Sequence, residues 1–196
     1  MGQGKQKAEK LKAFLGSLDA EENVVFDLSQ RLLQRFINPM SLRGACYRTS
    51  ILMKRILDKE YQVNSDVVLG YVNDGDNVFI SHAWLETKGK KTDLMIERPL
   101  HDVGRGPTVI LDYEFKGTSN ITYSYHLEKT AEALDTEAQM RQMPELGSLL
   151  DQKEAEHARI ARALSSPEEM DLFLEEAAAV GRDGFTYMKV LQTIGT

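Results

Sequence analysis

The sequence predicts an α+β protein in which a small antiparallel meander lies between two helical segments. Three observations carry that reading. Apolar residues recur at helical spacing up to residue 59, β-branched and aromatic residues fill short runs between 63 and 127, and helical spacing returns from Thr130 onward. The chain divides accordingly into a unit over residues 1–128 and a helical extension over residues 129–196 packed on it.

Residues 5–16 read as a short helix with Leu11, Phe14 and Leu15 on one side. Asp19, followed three residues later by Glu22, has the spacing of a capping box. The helix it opens runs to about Ile37 on the stripe Val24, Val25, Leu28, Leu32, Leu33 and Phe36, and Asn38-Pro39 stops it. A third helix spans 44–59, with Ile51, Leu52, Ile56 and Leu57 inward and Cys46 in its first turn. Strands follow at 63–72 and 78–87, separated by the turn Asn73-Asp74-Gly75-Asp76. A hairpin loop over 88–91 with Gly89 leads into a return strand at 92–98, and a loop follows from Pro99 to Pro107. Two further strands are predicted at 108–115 and 120–127. Helices then cover 130–142, 145–164, 167–180 and 186–194. Ser165 or Ser166 caps the third of these, with Pro167 in its first position and Gly181 and Gly184 ending it.

Composition excludes several classes of function. The chain has 196 residues, 42% of them hydrophobic, enough for a sizeable core. No apolar run approaches the roughly 18 residues of a membrane helix, so no membrane span is expected. The first residues carry basic groups without the apolar stretch of a secretory signal. With 24 basic and 30 acidic side chains the net charge is −6, which argues against a nucleic-acid partner. The single cysteine can form no internal disulfide and no multi-cysteine zinc site, and no His-Glu-x-x-His is present. A cytoplasmic protein without metal or cofactor is therefore expected. Residues 151–180, with eight acidic and three basic side chains, read as a solvated face, with a basic partner or the cleft as other roles.

Three residues could carry chemistry together. A cysteine at the start of a helix, here Cys46, feels the partial positive charge of unpaired N–H groups, which favours the thiolate. An imidazole from a strand, here His82, can exchange a proton with it. A carboxylate on the neighbouring strand, here Asp93, can hold the imidazole by its other nitrogen. The backbone N–H of Cys46 would serve as an oxyanion donor. Trp84, two residues beyond His82 and so on the same face, would shield the imidazole–carboxylate pair, while Glu86 would pair with a loop lysine. Tyr123, Tyr125 and His126 read as half-buried packing.

The segment from Gly44 to Val72, followed by Ile80 to Asp93, resembles the transglutaminase-like superfamily of cysteine enzymes. The matching residues are Gly44, Cys46, Ser50, Leu52, Leu57, Gly70, Tyr71, His82, Ala83, Trp84, Glu86, Gly89 and Asp93, about a quarter of the chain. The resemblance implies a papain-like core and a Cys–His–Asp triad, with Cys46 as nucleophile, His82 as general acid and base, and Asp93 as orienting carboxylate. Leu94 and Met95 follow Asp93, where the family often has a Pro, or a Thr two residues on. Two other carboxylates therefore stay open. A four-residue hairpin loop would set Glu97 opposite His82, and Asp102 lies in a His-Asp-Val-Gly segment resembling one in arylamine N-acetyltransferases. The activity implied is acyl transfer on a protein or peptide amide: a peptidase, amidase or deamidase with water as acceptor, a transglutaminase with an amine. Two other readings are a binding or adaptor module that kept the fold, and a host-modifying effector or toxin.

Overall fold

The computed structural model describes residues 2–98, 104–115, 119–177 and 186–194, and its architecture is mixed helix and antiparallel sheet. Helix α1 (Gly2–Ser17) is followed by α2 (Ala20–Leu32), which continues as a π-helical turn over Leu33–Ile37. The capping box forms: Glu22 N–H donates to Asp19 Oδ1 (2.9 Å) and Asp19 N–H to Glu22 Oε2 (3.0 Å). Helix α3 (Cys46–Ile56) likewise runs into a π-helical turn (Leu57–Tyr61), ended by Gln62 in the left-handed region.

Strands β1 (Asp66–Asn73), β2 (Ile80–Thr87), β3 (Lys90–Thr92) and β6 (Ser124–His126) form one antiparallel sheet in the order β3-β2-β1-β6. Strands β4 (Thr108–Ile110) and β5 (Tyr113–Phe115) form a separate two-stranded ribbon.

Several sequence boundaries are corrected. The hairpin loop has two residues, not four: Lys88 and Gly89 both have positive φ (53° and 74°), so Thr87 pairs with Lys90. That geometry suits the twist of a tight hairpin. The return strand covers only Lys90–Thr92 rather than 92–98, because the Asp93 side chain accepts the N–H groups of Met95 and Ile96 and turns the chain away. The strand expected at 108–115 is a hairpin, folded at Leu111 and Asp112 with φ of 51° and 64°. The strand expected at 120–127 shrinks to Ser124–His126.

Helices α4 (Ala131–Met140), α5 (Pro144–Ala163), α6 (Pro167–Glu175) and α7 (Tyr187–Ile194) follow. Ser166 caps α6 by accepting the Glu169 N–H, with Pro167 in the first turn. The expected terminators Gly181 and Gly184 lie outside the described residues. One core joins both halves of the chain. Leu28, Leu32 and Phe36 pack with Ile51, Leu52 and Ile56 of α3, Leu85 of β2, and Ile160, Phe173, Leu174 and Val190 of the later helices. Arg55 of α3 forks onto Asp171 of α6 (2.8 and 3.1 Å), a contact that uses one of the acidic side chains first read as solvated. No described helix is long and apolar enough to cross a membrane.

Candidate active site

Cys46 opens α3 directly after a turn made by Gly44, whose φ of 60° suits a residue without Cβ. The Gly44 N–H donates to the Arg98 carbonyl (2.9 Å), which fixes that turn to the segment beyond Asp93. No side chain caps the α3 N-terminus, so its first N–H groups point out beside the thiol without a capping partner. Cys46 is 8% exposed.

His82 sits in β2 opposite Gly70 of β1. Its Nε2 lies 2.7 Å from Asp93 Oδ2, with both side chains buried. Asp93 takes Nε2, which leaves Nδ1 as the ring's other nitrogen, and the Cys46 thiol is near enough to act on the charge of the ring. The structure thus joins His82 and Asp93 directly, with the Cys46 thiol close enough to influence the ring. Burial disfavours the His82 imidazolium, but the charges of Asp93 and Cys46 and the hydrogen bonds to both hold its pKa well above the usual 6.5.

Asp93 is saturated with donors. Oδ2 accepts from His82 and from the Tyr125 hydroxyl (2.9 Å), and Oδ1 accepts from the N–H groups of Met95 (2.9 Å) and Ile96 (3.1 Å). Its backbone bridges Val109 in both directions (2.8 and 3.0 Å). Burial pushes its pKa up, but His82 and these hydrogen bonds outweigh burial and leave it below 3.8.

The structure separates the other candidates from the imidazole. Glu97 accepts the Thr108 hydroxyl (2.8 Å) and not His82, because the two-residue loop removes the register that would have set it opposite. Asp102 lies outside the described residues. Trp84 reaches the pair's surroundings through Tyr125, whose hydroxyl donates to Asp93. It meets the Tyr125 ring edge-on (centroids 5.1 Å apart) and gives its Nε1–H to Glu86 (2.8 Å), so Glu86 serves the indole instead of a lysine. The indole lies against Gly70, where a Cβ would come 2.8 Å from Trp84 Cη2 and 2.4 Å from the His126 carbonyl oxygen. That is the physical reason for glycine opposite His82.

Two contributions were not read from the sequence. Tyr125 is a donor to the carboxylate, with Lys91 Nζ 4.0 Å from its ring centroid. The neighbours of Cys46 and His82 also bond to each other: Tyr47 Oη and Ser81 Oγ are 2.6 Å apart, and Ser81 Oγ is 2.7 Å from His157 Nδ1 on α5. With Ser50 Oγ donating to the Ala83 carbonyl (3.2 Å), these contacts clamp the start of α3 to β2. The alternation of Tyr123 and Tyr125 was the only sequence signal for the first, and none pointed to the second. Among the described residues, no three His, Cys, Asp or Glu side chains are placed to hold a metal ion.

A thiol, an imidazole and a carboxylate in this order can pass a proton between sulfur and an outside group while Asp93 keeps the ring oriented. No protein-family model, curated protein or solved structure matches the chain.

Proposed function

We propose that the protein is a cysteine-dependent acyl-transfer enzyme of the transglutaminase-like kind. In this reading α3 against the four-stranded sheet is its papain-like core. The observation that carries the reading is the 2.7 Å contact between His82 Nε2 and Asp93 Oδ2, with the ring's other nitrogen left to a cysteine at an uncapped helix start.

The proposed reaction starts with Cys46 as thiolate and His82 as imidazolium. The sulfur attacks an amide carbonyl of a protein or peptide. The Cys46 backbone N–H stabilises the oxyanion that forms. His82 gives its proton to the amide nitrogen, the C–N bond breaks, and the amine leaves a thioester on Cys46. Water then gives a proton to His82 and attacks the thioester. The C–S bond breaks and the acid departs, restoring the ion pair. Hydrolysis of this kind makes a peptidase, amidase or deamidase; an amine in place of water makes a transglutaminase. No metal or cofactor enters these steps. The lone thiol suits a reducing compartment such as the cytoplasm.

The small exposure of Cys46 (8%) and His82 (6%) favours a second reading, a binding module that kept the arrangement without turnover. Alkylation separates the two. With iodoacetamide at pH 6, Cys46 is expected to react at least about tenfold faster than free cysteine, since the thiolate and not the thiol reacts. His82→Ala should remove that advantage. A rate at or below that of free cysteine, unchanged by His82→Ala, overturns the enzyme reading.

A further inference from the structure

The residue that follows Cys46 and the residue that precedes His82 are joined to a third from the helical extension. Tyr47 Oη lies 2.6 Å from Ser81 Oγ, and Ser81 Oγ lies 2.7 Å from Nδ1 of His157 in α5. The His157 ring is held for this contact in two ways. It stacks on Tyr71 (centroids 5.5 Å apart, planes 9° apart), and Tyr71 is the cross-strand partner of Ser81. One turn further along α5, Ile160 is fully buried in the core that α5 shares with α3.

The donors in this chain give it a direction. Burial and the nearby Lys129 ammonium hold the His157 pKa below the usual 6.5, so at neutral pH the ring is uncharged. Burial and the charge of Cys46 push the Tyr47 phenol up, so it keeps its proton. With the ring proton on Nε2, Nδ1 accepts from the Ser81 hydroxyl, the Ser81 oxygen accepts from Tyr47, and both hydroxyl protons are placed. A ring proton on Nδ1 would turn the chain round and leave the Tyr47 proton to another acceptor.

This chain bears on Cys46 because no side chain caps α3. The first turn of that helix is held to β2 by Tyr47 through Ser81 and, one turn on, by Ser50 through the Ala83 carbonyl (3.2 Å). We infer that His157 is a positioning residue for the proposed reaction: by accepting from Ser81 it keeps Tyr47, and with it the turn that carries Cys46, against the strand that carries His82. The reactivity of the thiol then depends on a helix from the extension. The inference rests on the acyl-transfer reading of Cys46.

The test compares the rate at which iodoacetamide modifies Cys46 at neutral pH in variants that cut the chain in different ways. His157→Phe keeps a ring to stack on Tyr71 but offers no acceptor, and should slow alkylation about fivefold, the factor that one ordinary hydrogen bond supplies. Ser81→Ala cuts the same chain without touching α5 and should slow it equally. The double variant should be no slower than either, because both changes remove one shared interaction. His157→Asn places its Oδ1 where Nδ1 was and can accept the same proton, so its rate should stay within about twofold of wild type. His, Phe and Asn have similar helix propensities, so the comparison does not turn on the stability of α5 itself. Should His157→Phe not fold, Ser81→Ala and His157→Asn carry the comparison. A wild-type rate in His157→Phe or in Ser81→Ala, a His157→Asn variant as slow as His157→Phe or Ser81→Ala, or a double variant slowed by the product of the two factors overturns the inference. A failure of the reading beneath it is seen separately, in the otherwise unchanged protein, as alkylation of Cys46 that His82→Ala does not slow, and it takes the inference with it.

Discussion

Asp93 meets His82 with one carboxylate oxygen, at 2.7 Å, and spends the other on the backbone of the turn that begins just after it. The same side chain thus ends strand β3 and holds the imidazole. Asp93→Asn keeps the size but removes the charge that favours the imidazolium. Its alkylation rate at pH 6 is expected to fall at least about tenfold, and urea unfolding should show a loss of about 3 kcal/mol, the cost of stripping one partner from a buried pair. An unchanged rate would remove Asp93 from the proposed chemistry.

The pair also sets a pH window for stability. The raised pKa of folded His82 contributes stability that is complete below pH 6.5 and is lost as pH rises through the folded value. The lowered pKa of Asp93 contributes stability present above pH 3.8 and lost as pH falls through its folded value. Both are present together between about pH 4 and 6.5. The urea midpoint should be highest in that window. His82→Gln should flatten the alkaline decline, and Asp93→Asn the acid one. A wild-type midpoint that does not move between pH 6.5 and 9 contradicts the coupling.

Tyr125→Phe deletes one donor to Asp93 and leaves the ring against Trp84 and beneath Lys91. A hydrogen bond to a charged group contributes about 1.5–3 kcal/mol, so unfolding should register a loss in that range. The Asp93 pKa should rise, because a donor to its ionised form is gone, and the acid decline in stability should begin at higher pH. Tyr123→Phe is the control: its hydroxyl donates to the Gly104 carbonyl (2.8 Å), so the acid decline should stay where it is.

The sequence made Cys46 and His82 legible because each stands in a local pattern, a helix start after a glycine turn and an alternating strand. Asp93 was legible only as one of three carboxylates. Its choice depends on whether the hairpin loop has two residues or four, and Lys88 does not advertise a left-handed conformation as Asn or Gly would. Leu111-Asp112 hid a second hairpin for the same reason. Tyr125 and His157 were hidden by distance. The first reaches Asp93 across 32 residues and the second reaches Ser81 across 76, through pairings that no local periodicity encodes.

Gly70 joins the sheet to the proposed site through packing alone. A methyl there would stand 2.4 Å from the His126 carbonyl oxygen and 2.8 Å from the Trp84 ring. The carbonyl belongs to β6, whose three residues pair with Tyr71, Val72 and Asn73 of β1. It cannot retreat without loosening that ladder, and the strand it would carry along holds Tyr125. The indole could shift, but only by leaving Tyr125 or the Glu86 carboxylate. Gly70→Ala should therefore cost about 2 kcal/mol, within the range for overpacking a buried site. Trp84 is the only tryptophan, so its fluorescence reads the site directly. The emission of the folded variant should move to longer wavelength as the ring is displaced, and Cys46 alkylation should slow with it. An unchanged urea midpoint and spectrum would show that the close approach at Gly70 does not constrain the indole.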